Sequence, residues 1–126
     1  MSGAYSPTIL EHFRHPRNRG ALDAPSISQE GTNPLCGDRV RIELAVSEGT
    51  ITDARFTANA CAICVASASM LTEIVRGLAV ADAEQLPVQR VLDALQSPIP
   101  AARLQCVRLP LTVMHAGLLR HAGRSA

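Results

Sequence analysis

The run RVRIELAVSEGTITDARFTANACAICVASASMLTEIVRG, residues 39–77, decides the fold because its hydrophobic period changes once. In the first part Val40, Ile42, Leu44 and Val46 alternate with Arg41, Glu43 and Ala45, the period of a half-buried strand. SEGT, residues 47–50, supplies a hairpin loop in which Gly49 can take positive φ. ITDARFT, residues 51–57, alternates again on Ile51 and Phe56, which predicts an antiparallel hairpin. After Thr57 the period lengthens. CAICVASASMLTEIVRG is rich in small residues, places Met70, Leu71, Ile74 and Val75 near its end, and stops at Gly77. That pattern predicts a helix packed closely on the sheet.

Working outward, Ser6 caps a first helix with Pro7 at its first position and with Ile9, Leu10 and Phe13 on one face, and Pro16 and Gly20 stop it. Residues 21–38 are turn-rich, with at most a short edge strand near Ser26–Gln29. Beyond Gly77, Asp82 is expected to cap a short helix, and Val88, Val91, Leu92 and Leu95 give a further helical stripe. SPIPAA, residues 97–102, breaks the chain. Pro110 then opens a last helix through Leu111, Met114, Leu118 and Leu119, ending near Gly123. Helix, strands, then helices reads as an α+β fold in two layers, a small, mainly antiparallel sheet packed against helices. The 126 residues suit a single domain, 1–126.

Composition narrows the function. Only Tyr5, Phe13 and Phe56 are aromatic and the net charge is +1, so neither a base-stacking surface nor a basic field argues for nucleic acid. All 12 basic residues are Arg, which excludes a Schiff-base, P-loop or general-base lysine. The first 20 residues hold charges and prolines rather than a signal peptide, and the weakly polar stretch Ala58–Leu71 is too short to span a bilayer. The expectation is a cytoplasmic protein with no membrane partner. In that compartment thiols stay reduced, and a few cysteines are more often metal-binding or reactive than disulfide-paired.

Three of the four cysteines fall at element boundaries. Cys36 lies in the NPLCGD turn before the first clear strand, Cys61 where the second strand gives way to a helix, and Cys106 in the segment leading into the last helix. A hairpin sets the start of one strand beside the end of the next, so Cys36, Asp38 and Cys61 should meet at one end of the sheet. Three thiolates and a carboxylate suit tetrahedral zinc, and an Asp in place of a fourth Cys makes the site less closed. Taken singly, each residue has a blander explanation, as a small buried hydrophobe or a turn cap. The histidines add little. His12 and His15 are expected exposed, on and just past the first helix, and His115 and His121 are spaced wrongly for one metal.

Four segments, ILEHFRHPRNRG, NPLCGDRV, ITDARFTANACAI with ASASMLTEIVRG, and ARLQCVRLP, resemble in order segments of the NifU/IscU/SufU family of iron–sulfur cluster assembly proteins. The resemblance implies an α+β fold and a function: accepting sulfur from a PLP-dependent cysteine desulfurase and holding a metal or nascent cluster. It implies Cys36, Asp38, Cys61 and Cys106 as metal ligands, with Zn²⁺ or a [2Fe–2S] cluster at the same site. By the same resemblance Cys36, Cys61 and Cys106 bind the cofactor, Cys106 accepts the persulfide, and Asp38 keeps the site labile. The implied partners are the desulfurase and a downstream apo-protein or cluster carrier. A scaffold or sulfur acceptor is expected rather than a true enzyme.

The sequence departs from the family pattern in four places. Gln105 stands where scaffolds of the IscU type have His, which resembles the SufU-type branch. The SufU-type insertion before the last cysteine is shortened. Ala60 replaces a glycine, and Cys64 stands where SufU relatives have Ser. Cys64 shares a helix face with Cys61, so it reads as a buried small residue, a spare ligand or relay, or one half of a redox pair. Three alternatives follow: a zinc-dependent sulfurtransferase that activates the desulfurase without acting as scaffold, a CxxC thiol-disulfide oxidoreductase, and a structural zinc module. Arg103 is a candidate to neutralise an incoming anionic sulfur.

Overall fold

The computed structural model describes residues 5–35 and 37–125. The elements run α1 (Pro7–Arg14), β1 (Ile27–Asn33), β2 (Asp38–Ser47), β3 (Thr50–Asn59), α2 (Ala62–Val75), α3 (Val80–Glu84), α4 (Val88–Leu95) and α5 (Leu104–Ser125). A 3-10 turn, Ala101–Arg103, leads into α5. The sheet has the order β1-β2-β3 and is antiparallel throughout. Helices cover one face, which gives the expected α+β architecture.

The hairpin forms as its pattern predicts. Glu48 and Gly49 adopt φ of 50° and 77°, the left-handed pair of a two-residue loop whose twist matches the strands. Val40, Ile42, Leu44, Ile51, Ala54 and Phe56 turn inward and are buried. α2 follows β3 after a two-residue link, and its small residues let it lie against β3, α1 and α5.

Ser6 caps α1, its Oγ accepting the Ile9 N–H at 3.2 Å. The buried face of α1 is not the expected one, however. Ile9 and His12 are buried while Phe13 is 43% exposed. His12 reaches inward because Ser69 on α2 offers its Oγ 2.7 Å from Nδ1, so the ring has a partner that the sequence spacing does not display.

Three more expectations need correction. β1 extends to Asn33 rather than ending near Gln29, because backbone pairing to β2 carries a strand in which Ile27 alone is fully buried. Asp82 lies within the first turn of α3 instead of capping it, and Ala79 is the N-cap. α5 begins at Leu104, so Pro110 sits inside the helix and Cys106 in its opening turns. Pro110 has no N–H to return to the Cys106 carbonyl four residues earlier. α5 also comes very close to β1. A Cβ on Gly117 would meet Ile27 Cγ2 at 2.8 Å, and one on Gly31 would meet Val113 Cγ2 at 2.6 Å.

Candidate metal centre

Three of the four expected ligands can be placed. Asp38 opens β2 and Cys61 follows β3, so the β2–β3 register, with Arg39 opposite Asn59, brings them to one end of the sheet. Cys106 is delivered from the other layer by α5, which packs on α2, β1 and β2. The Ser67 hydroxyl on α2 donates to the Val107 carbonyl at 2.8 Å and fixes that turn beside the site. One carboxylate oxygen and two sulfurs, from Asp38, Cys61 and Cys106, lie within 4.8 Å of one another. Cys36 lies outside the described residues.

The residues on either side of position 36 are tied to one another. The Asn33 side chain accepts the Leu35 N–H at 3.1 Å, and the Asn33 carbonyl accepts the Gly37 N–H at 2.8 Å. Gly37 takes φ of 73°, which a residue with a Cβ adopts only under strain.

Asp38 is 2% exposed, and its two oxygens are used differently. Oδ1 accepts the Cys61 N–H at 3.0 Å, whereas Oδ2 faces the Cys61 sulfur, a weak donor, at 3.8 Å. A buried carboxylate held on one side and turned toward sulfur on the other fits a cation, whose charge would offset its burial. Two sulfurs and one oxygen are donors that zinc accepts. Cys61 is half-buried and Cys106 fully buried. Exposed Arg103 hydrogen-bonds the Cys106 sulfur. That bond, and then the nearness of the Cys61 and Cys106 sulfurs, raises its pKa above the ordinary arginine value.

Cys64 does not join the cluster. It is 0% exposed and part of the hydrophobic core, and no disulfide joins Cys61, Cys64 and Cys106. An antiparallel sheet also lacks the parallel βαβ unit of a thioredoxin-like redox fold. Of the histidines, His15 is exposed and His115 gives Nε2 to the Ala83 carbonyl at 3.1 Å. The Ser67 contribution was invisible in the sequence, where a serine in a small-residue helix signals only close packing.

A model of the NifU-like N-terminal domain matches residues 4–126. The chain belongs to the NifU-like N-terminal domain family. Its NifU-like relatives carry several kinds of name. One is the iron-sulfur cluster assembly scaffold protein IscU of Aquifex aeolicus, 35% identical over 121 residues, or 94% of this chain and 76% of that protein. Another is the zinc-dependent sulfurtransferase SufU of Bacillus subtilis, 40% identical over 73 residues, or 58% of this chain and 49% of that one. A third is the bifunctional protein NifU/MnmA of Rubrobacter xylanophilus, 34% identical over 116 residues, where the chain spans only 24% of its relative's length. No helix among the described residues is long and apolar enough to cross a membrane.

Proposed function

We propose that this chain is an iron–sulfur cluster assembly protein that accepts sulfur from a PLP-dependent cysteine desulfurase and holds a metal or nascent cluster. Its ligands are Cys36, Asp38, Cys61 and Cys106. The observation that carries the reading is the convergence of Asp38, Cys61 and Cys106 within 4.8 Å at one end of the sheet. Zn²⁺ or a [2Fe–2S] cluster is the proposed occupant, and bound metal would keep the thiols deprotonated at neutral pH.

The chain's own residues prepare sulfur acceptance. The Cys106 thiolate attacks the terminal sulfur of the desulfurase's persulfide, an S–S bond forms to Cys106, and the desulfurase thiolate leaves. Arg103, bonded to the Cys106 sulfur, balances the negative charge that both partners bring to this encounter. Because Cys106 is buried, acceptance requires its turn to open. Asp38 supplies a hard oxygen among soft sulfurs and so keeps the site exchangeable. The acceptor sulfur would then pass to a downstream apo-protein or cluster carrier.

A second reading is zinc-dependent sulfur transfer without scaffolding, favoured by Gln105, which offers no imidazole beside Cys106. Protein purified anaerobically should contain about one zinc or one two-iron cluster per chain. Acid-labile sulfide with the iron supports the scaffold, and zinc with a persulfide on Cys106 after exposure to a desulfurase and cysteine supports transfer. A preparation with neither metal nor persulfide refutes both.

A further inference from the structure

The face of the sheet turned away from the helices carries more guanidinium than carboxylate. Arg39 and Arg41, outward on β2, share one acid. Arg39 Nε lies 3.4 Å from Glu30 Oε2, and Arg41 Nη2 lies 2.9 Å from Glu30 Oε1. One carboxylate between two guanidinium groups leaves a full positive charge over.

Glu43, the next outward position on β2, directs its hydrogen bonds away from both arginines. It is buried, and its oxygens accept from neutral donors, the Leu22 N–H and the Ser28 hydroxyl, both at 2.9 Å. Beside β3 runs a strap in which the Gly20 N–H bonds the Phe56 carbonyl at 2.8 Å. From that strap exposed Arg19 reaches the Ala58 carbonyl at 3.1 Å rather than a carboxylate. Arg39, Arg41 and Glu30 wall an open cavity of about 340 Å³, with Thr57 and Asn59 along its β3 side.

The spacing says what fits. Residues two apart on a strand project from the same face about 6.6 Å apart, which is also the spacing of alternate side chains on an extended partner. Each arginine keeps donors beyond those given to Glu30, and a fork of N–H groups is suited to a second carboxylate. A single small anion would satisfy only part of a donor row laid out along a strand. The groove also has a direction. Arg39 follows Asp38 and pairs with Asn59, two residues before Cys61, so the groove ends at the thiol-bearing end of the sheet.

We infer that this groove docks an extended acidic segment of a protein partner, with carboxylates at alternate positions lying along β2 and its end beside the thiols. The inference rests on the charge and geometry of the sheet face and needs no metal.

The test uses the full chain and a fluorescein-labelled peptide of alternating glutamate and threonine, followed by anisotropy, with a lysine–threonine peptide as control. The acidic peptide should bind saturably and weaken as salt rises. Arg39→Glu with Arg41→Glu should weaken it by at least about tenfold. Glu30→Gln should tighten it about two- to threefold, because the shared acid competes for the same arginines. If the double reversal does not fold by circular dichroism, Arg41→Gln and Glu30→Gln carry the comparison. Cys106→Ser should leave peptide binding unchanged, so failure here is separable from failure of the sulfur-transfer reading. No binding at millimolar chain, equal binding of the lysine peptide, or weakening by Glu30→Gln overturns the proposal. So does a groove that inorganic phosphate fills with the same arginine dependence while the peptide fails.

Discussion

Two of the molecule's buried polar clusters differ in kind, and only one of them has unfinished chemistry. Between α1 and α2 the Ser69 Oγ meets His12 Nδ1 at 2.7 Å and the Arg17 N–H at 2.8 Å. Beside it the Thr72 hydroxyl donates to the Ser69 carbonyl at 2.7 Å and accepts from Asn18 Nδ2 at 3.1 Å. Those bonds are short and close on one another, as in a network that joins two helices. At the thiol end, Asp38 Oδ2 lies 3.8 Å from the Cys61 sulfur, and two sulfurs and the carboxylate crowd one point. Burial alone does not mark a site. Burial with donor atoms converging on one point and weakly matched by hydrogen bonds does.

This contrast is open to attack at several points. The largest effect should come from Cys61→Ser, which removes a thiolate and leaves the fold. Zinc affinity, measured against a chromogenic chelator, should fall by more than about 100-fold, beyond what loss of a supporting residue costs. An unchanged affinity would mean that the convergence is not a metal site. Asp38→Ala sharpens the same end. The metal or cluster should persist at least about threefold longer under chelator challenge, since loss of a weak arm leaves the sulfurs in possession. A shortened lifetime would recast Asp38 as an anchor.

At the other cluster Ser69→Ala should do the reverse. It strips a partner from the Arg17 N–H and from His12, costing about 1–3 kcal/mol in denaturant unfolding while zinc affinity stays level. A change in metal binding instead would erase the distinction between the two clusters.

The smallest effect concerns pH. Burial, followed by the charge of Arg17, lowers the His12 pKa below its ordinary 6.5, against smaller opposing contributions from Glu73 and Glu11. The unfolded chain then binds a proton more readily than the folded one, so stability rises with pH and is lost as pH falls below 6.5. Melting temperatures between pH 5 and pH 7 should therefore slope more steeply in the parent than in His12→Asn. Equal slopes would show that His12 binds its proton as readily in the folded chain as in the unfolded one.

How much of this was legible depended on whether local pattern or distant contact decided each feature. The β2–β3 hairpin and α2 were readable because their periods are clean and Gly49 and Gly77 take φ of 77° and 89° at the expected breaks. The meeting of Asp38 and Cys61 followed from hairpin geometry alone. The far end of β1 was hidden because GTN is held by pairing to β2 rather than by apolar side chains. His12 was misplaced because its partner lies 57 residues away. Cys106 was set before the last helix because a proline usually opens a helix, whereas here Pro110 is accommodated within one.

That proline has a mechanical consequence. Beyond it, α5 is locked to β1, so closely that a Cβ on Gly117 would meet Ile27 Cγ2 at 2.8 Å and Gln29 Cβ at 3.0 Å. Before it stand six residues, 104–109, a short lever bearing the buried sulfur and fastened by the Ser67–Val107 bond. The backbone ladder is already missing a rung at the fulcrum, so a docking partner could unlatch the lever and uncover Cys106 while the rest of the helix stays seated.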